Sequence, residues 1–271
     1  MKARIGRLFQ RNLNSPLRRA WFALRALLFG VFRKRQRVLE VHVGSVHCKR
    51  VVCGDSYEAQ RIVDALRRND VADRFPPLVD HFDNQILFRF VPGRRFDPFR
   101  AQDRRALAEL YSTLYRSAAA TATPDQTWSE LARDLGFLRD VGVIEAAQAD
   151  RLMQRAQALK PAVLYCGLDY LDPVAKNLVV TDSGRLIAVD VEGLQYGGPL
   201  GAGLAKCELH WLKPEWREAF RTTVHEACGF DLNTQMPFVA LAYKVGWIRR
   251  KLLQGKLDRR KLAVLAGLAD D

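Results

Sequence analysis

Three oxygen-bearing side chains stand at intervals that suit phosphoryl transfer: Asp172, Asn177 five residues on, and Asp190 a further thirteen on. Between the last two, Leu178-Val179-Val180 and Arg185 to Val189 read as strands, joined by a turn at Thr181-Asp182-Ser183-Gly184. A hairpin of that length returns Asn177 and Asp190 to one mouth. Two oxygen ligands there suit Mg²⁺, a hard cation that takes few carboxylates and fills its shell with phosphate oxygens. Asp172 lies on the loop just before the first strand, where it can face an acceptor hydroxyl. In-line phosphoryl transfer is catalysed mostly by positioning and charge neutralisation, and this arrangement offers both. Asp169 is a rival for Asp172, but it stands eight residues before Asn177, outside the spacing. Asp-Pro and Asp-Ser-Gly are also ordinary turn chemistry. The motif gains weight only with an upstream half that fits.

That half is present. Residues 38–53 alternate and turn at Gly44-Ser45, which predicts a hairpin rich in β-branched residues with Lys49 on its second strand. Asp55-Ser56 caps a predicted helix, Tyr57 to Arg68, whose apolar stripe is Ile62, Val63 and Leu66. Gln85 to Arg94 reads as a further strand, stopped and turned by Pro92-Gly93. Taken alone, Lys49 is equally an exposed charge on a strand, and the last segment an edge strand ended by a turn.

The pattern resembles the protein-kinase-like superfamily, whose catalytic loop reads H-R-D-x-x-x-x-N and whose metal loop reads D-F-G. Tyr170 stands where the His would be, Leu171 replaces the Arg, and Asp190-Val191-Glu192-Gly193 replaces the metal loop. An acidic residue two after the metal aspartate looks like the aminoglycoside-phosphotransferase and lipopolysaccharide-core-kinase branch. The resemblance implies an α+β, two-lobed fold: a small antiparallel-sheet lobe with one helix, then a mainly helical large lobe. It covers roughly 38–225 and is strongest over 165–200. It implies ATP and Mg²⁺ as cofactors, with Asp172, Asn177 and Asp190 catalytic and Asn177, Asp190 and Glu192 around the metal. Lys49 would bind the α- and β-phosphates, and Glu58 would position Lys49; the interval is short for the family, and Asp64 is the fallback. Phe90, Val91 and Gly93 would lie along the adenine edge. One departure stands out: only Gly44 lies in the first hairpin, so there is no glycine-rich loop over the phosphates, and no P-loop occurs either.

The elements that must carry this machinery fit a chain of 271 residues, 48% hydrophobic, which suffices for one two-lobed domain or two small ones. The expected division is a basic segment 1–37, a nucleotide-binding lobe 38–93 and a catalytic lobe 94–271. Residues 100–160 read as helices around a loop from Ser117 to Thr127. Gln195 to Gly203, with four glycines and a proline, reads as a loop beside the metal site and a place for acceptor contacts. Residues 214–229 and 236–254 read as helices.

The net charge of +13 suggests nucleic acid until its distribution is seen. Eleven of the 43 basic residues lie in 1–39 with no acidic residue, and the remaining 32 stand against 30 acidic ones. No nucleic-acid signature accompanies the charge. In the leader, Leu17, Trp21, Leu24, Leu28 and Val31 follow the helical repeat. Such a basic amphipathic helix suits an anionic membrane surface, or packs on its own lobe; both destinations stay open, as does a mitochondrial-type leader. A membrane span is disfavoured because Arg25 breaks the apolar run. Five scattered cysteines without a C-x-x-C pair indicate a reducing compartment and no zinc site. The reading is therefore a cytoplasmic kinase, peripheral on the inner membrane in its finer form. Its acceptor would be a hydroxyl of a small molecule or sugar, with a lipid-linked lipopolysaccharide core sugar as the specific case. A kinase-like pseudoenzyme serving as a membrane-associated interaction module is the alternative.

Overall fold

A computed structural model describes residues 37–68, 71–116 and 120–270. The expected leader helix, Leu17 to Phe32, lies outside the described residues. The strands are β1 (Arg37–Val43), β2 (Val46–Val52), β3 (Leu78–Phe82), β4 (Gln85–Arg89), β5 (Arg94–Arg95), β6 (Ala120–Ala122), β7 (Leu164–Tyr170), β8 (Leu178–Val180), β9 (Leu186–Ala188) and β10 (Leu194–Pro199). The helices are α1 (Ser56–Arg68), α2 (Ala101–Arg116), α3 (Asp125–Asp140), α4 (Ala146–Leu159), α5 (Ala202–His210), α6 (Pro214–Cys228), α7 (Leu232–Leu253) and α8 (Arg259–Asp270). The fold is α+β: an N-terminal antiparallel sheet with one helix, followed by a mostly helical region.

The described residues fall into two compact units, one of 37–122 and 165–233, the other of 123–164 and 234–270. In the first, β1-β2-β4-β3 form an antiparallel sheet. Gly44 takes the left-handed conformation that the β1–β2 turn requires, at φ +59°. α1 starts as the sequence predicts: Asp55 accepts from Glu58 N at 2.7 Å, and Glu58 accepts in return from Gly54 N at 2.8 Å. This reciprocal capping satisfies two donors that the first turn would leave orphaned. Ala59, Ile62, Val63 and Leu66 then bury the inner face of the helix. Strand β3 was not foreseen; its signal is the Asp83-Asn84 turn, where Asp83 adopts φ +51°.

The predicted strand from Gln85 to Arg94 is two strands. β4 ends at Arg89, and Arg94-Arg95 joins a different sheet, β5-β8-β9. Gly93 makes this transfer possible. A Cβ there would lie 2.5 Å from Val180 O and 2.7 Å from Val179 Cγ1, and its φ is +153°. A third sheet orders β10-β7-β6. The glycine-rich segment expected as a loop is largely β10: Gly197, at φ +76°, sits in a bulge where the pairing with β7 shifts between Tyr196 and Gly198. A bulge accepts the glycines that a regular strand would disfavour. The segment 117–127 likewise differs from a plain loop, since β6 and the start of α3 lie within it. α2 packs along α6, where the Tyr111 ring meets Phe220 edge-on. In the second unit α3 packs on α4 and α4 on α8, where Arg155 donates to Leu268 O at 2.9 Å. No helix among the described residues is long and apolar enough to cross a membrane.

Replacing Gly93 by alanine is expected to cost about 1–3 kcal/mol, because backbone rather than a flexible side-chain tip meets the new methyl. Urea unfolding of the variant measures this, and an unchanged midpoint would show that the β5–β8 pairing yields freely.

Candidate active site

Strand β7, buried along almost its whole length, delivers the chain to Leu171 and Asp172. Pro173 and a single 3₁₀ turn, Ala175–Asn177, then lead into β8. Asn177 is buried, and its amide nitrogen donates to Asp172 Oδ2 at 2.6 Å and to Asp172 O at 3.2 Å. A carboxylate only accepts, so the amide must turn its nitrogen to Asp172 and its oxygen elsewhere. The β8–β9 hairpin closes with Val189 N donating to Asn177 O at 2.9 Å, which sets Asp190 beside Asn177. One amide oxygen and one carboxylate at this mouth form the hard donor set that fits Mg²⁺.

Lys49 reaches the same place from β2. Its ammonium donates to Val189 O at 2.7 Å and lies 3.8 Å from Asp190 Oδ1. Lys49 thus meets Asp190 and Asn177 meets Asp172, and the backbone of Val189, which accepts from Lys49 and donates to Asn177 O, joins the two pairs. Behind them the loop after Asp190 folds back: Gly193 N donates to Asp190 O, and Gly193 O accepts from Leu171 N at 2.6 Å. A Cβ on Gly193 would lie 2.8 Å from the Tyr170 ring and 3.1 Å from Asp172 Cβ, so only glycine lets the two loops touch.

The other expected residues are placed as follows. Glu58 accepts from Gly54 N, and it lines a cavity of about 110 Å³ with Arg61, Ile62, Ala65, Glu192, Leu194 and Tyr196. Cys53 is close enough to feel both glutamates: burial first, then Glu58 and Glu192, push its thiol up to about 11. Phe90 stacks on His47 with centroids 4.4 Å apart, and its N–H is already used by His47 O at 2.9 Å. Val91 is half-buried, and Gly93 is held against β8.

Sequence reasoning missed Lys206, on α5, whose ammonium pairs with Asp172 Oδ1. No spacing rule links a lysine thirty-four residues downstream to Asp172. It also missed Trp211, whose indole N–H donates to Pro173 O at 3.1 Å.

Neither a protein-family model nor a curated protein matches the sequence. Solved structures do. Choline kinase LicA from Streptococcus pneumoniae superposes with TM-score 0.60 at 10% identity, over 91% of this chain and 97% of that one. A thermostable mutant of aminoglycoside phosphotransferase APH(4)-Ia, in ternary complex with AMP-PNP and hygromycin B, gives 0.56 at 15%, over 88% and 89%. Macrolide 2'-phosphotransferase type I gives 0.56 at 14%, over 95% and 99%. The chain therefore has the protein-kinase-like fold in its aminoglycoside-phosphotransferase and choline-kinase form.

Asp169, the rival carboxylate, is built into the interior. It is 1% exposed and accepts from Tyr115 Oη at 3.0 Å, Gly201 N at 3.2 Å and Gly203 N at 3.0 Å. Burial raises its carboxyl to about 6, and the hydrogen bonds oppose that rise only in part. The unfolded chain releases this proton near 3.8, so the folded state binds more protons between the two values. The contribution of this group to stability is therefore whole below about pH 4 and is lost as pH rises through about 6, with a total of about 3 kcal/mol. Asp169→Asn keeps an oxygen for the two glycine N–H groups and gives Tyr115 a donor. Chemical denaturation from pH 4 to 7 should show a shallower fall for this variant than for the native chain. Parallel profiles would mean that Asp169 titrates normally.

Proposed function

We propose that the protein is an ATP-dependent phosphotransferase that moves the γ-phosphoryl group to a hydroxyl of a small molecule or sugar. The observation that carries this reading is the pair of contacts Lys49–Asp190 and Asn177–Asp172, joined through the backbone of Val189 at the end of one hairpin. The names of the matched structures support it: a choline kinase, a macrolide phosphotransferase, and an aminoglycoside phosphotransferase holding AMP-PNP with hygromycin B.

In this reading residues 38–93 form the nucleotide lobe and 94–271 the catalytic one. Lys49 neutralises the α- and β-phosphates, and Glu58 positions Lys49. Phe90, Val91 and Gly93 border the adenine; with Phe90 N–H committed to His47 O, the ring and its neighbours provide that border. Asn177 and Asp190 would hold Mg²⁺, with Glu192 completing the shell or meeting the acceptor, and the ion would supply positive charge against the phosphoryl oxygens. Asp172 orients the acceptor hydroxyl and takes its proton as the oxygen attacks the γ-phosphorus.

The finer form is a lipid-linked, anionic acceptor such as a lipopolysaccharide core sugar, met at the inner-membrane surface through residues 1–37. Its support is the basic leader and the Asp190-Val191-Glu192 loop. A second reading, a kinase-like interaction module, draws on the tight Gly44-Ser45 turn, which leaves no backbone cradle over the phosphates.

Thermal stabilisation by ATP with Mg²⁺, followed by ATP consumption, separates these readings. The enzyme reading expects both; the absence of both leaves the interaction module. Asp190→Ala should abolish metal-dependent turnover. Asp172→Asn should keep nucleotide affinity while lowering kcat by about 10²–10⁴-fold. Transfer of labelled γ-phosphate to the lipid rather than the soluble fraction of a cell extract is expected of the finer form.

A further inference from the structure

We infer that Lys206 is a catalytic residue: it leaves Asp172 to bind the transferring phosphoryl group, and in leaving exposes the oxygen that accepts the substrate proton. This rests on the phosphotransferase reading of the same site.

Both oxygens of Asp172 already accept a hydrogen bond. Asn177 occupies Oδ2 and Lys206 occupies Oδ1. Asn177 is buried and is fixed by backbone hydrogen bonds at both its N–H and its carbonyl. Lys206 has a long, flexible stem and remains 16% exposed at its side chain, so it is the partner that can move.

The helix bearing Lys206 is held against the catalytic loop at both ends. At its start, Asp169 accepts from Gly201 N and Gly203 N. A Cβ on Gly203 would lie 2.4 Å from Tyr170 O and 2.6 Å from Tyr111 Oη, so α5 abuts β7 only because that position is glycine. At its end, Trp211 donates to Pro173 O. The base of Lys206 is thus fixed while its ammonium swings. Each site acid has its own lysine: Lys49 lies against Asp190 from the sheet, and Lys206 pairs with Asp172 from α5.

A cation between Asp172 and the γ-phosphate suits the chemistry. Without one, the γ-phosphate would approach an uncompensated Asp172 carboxylate, and like charges would resist the alignment. In the proposed step the ammonium moves from Oδ1 to a γ-phosphoryl oxygen. The acceptor oxygen forms its bond to the γ-phosphorus as the bond to the β,γ-bridging oxygen breaks. ADP leaves with that electron pair, and the acceptor proton passes to Oδ1 of Asp172.

Affinities for Mg-ATP and Mg-ADP, together with turnover, test this in native protein, Lys206→Met and Lys206→Arg. Lys206→Met should weaken Mg-ATP by about tenfold, leave Mg-ADP within about twofold, and lower kcat by about 10²–10³-fold. Lys206→Arg, which keeps the charge, should retain the preference for ATP. If Lys206→Met leaves turnover within about threefold and moves both nucleotides alike, the lysine is only an ion-pair partner and the inference falls. Failure of the native protein to bind either nucleotide removes the phosphotransferase reading and this inference with it. Thermal midpoints of the nucleotide-free variants within a few degrees of native confirm that each is folded.

Discussion

A carboxylate sealed from water underlies the geometry of the site. Asp169 joins three elements: its own strand β7, α2 through Tyr115, and the start of α5 through the N–H groups of Gly201 and Gly203. A buried charge is tolerated only when its lone pairs are met, and here donors from two other elements meet them. Because β7 leads straight into Asp172 and α5 carries Lys206, this one side chain fixes the approach of each to the other. Tyr111 reinforces the junction by donating to Tyr170 O at 2.8 Å. Burial also drives the phenols of Tyr111 and Tyr115 well above their usual range, so both remain neutral donors.

The sequence made the local half of this arrangement legible. Intervals within one hairpin suffice to bring Asn177 to Asp190, since strand pairing and a glycine turn at φ +80° are short-range physics. The Gly44 turn and the Asp55 cap were legible for the same reason. What was hidden depends on tertiary approach. The glycines at 197, 198, 201 and 203 signalled a break in regular structure, whereas in the fold the first two lie at a bulge, Gly201 takes φ +112° at the start of α5, and Gly203 leaves room for α5 against β7. Composition cannot distinguish a glycine needed for freedom from one needed for room. Lys206 and Trp211 were illegible because each acts on a loop more than thirty residues away.

Charge follows the same division. Over most of the chain, acidic and basic residues nearly balance, so the site draws its character from placement rather than from total charge. Two carboxylates stand at the mouth of the hairpin, each paired with one lysine from a different element. Arg94 and Asp103 are a contrasting pair. Their two-pronged contact, at 2.5 and 2.6 Å, is closed off by Asp97 N and serves to fix the chain where it enters the hairpin's sheet.

The departures from the kinase-like pattern then have a physical reading. Tyr170 and Leu171 replace the His and Arg of the catalytic loop, and both work here through backbone and packing. Tyr170 is fully buried, its ring meets Phe75 edge-on, and its carbonyl takes the Tyr111 hydroxyl. Leu171 contributes its N–H to Gly193 O. The positions that keep the pattern are those whose side chains touch one another: Lys49 with Asp190, and Asn177 with Asp172.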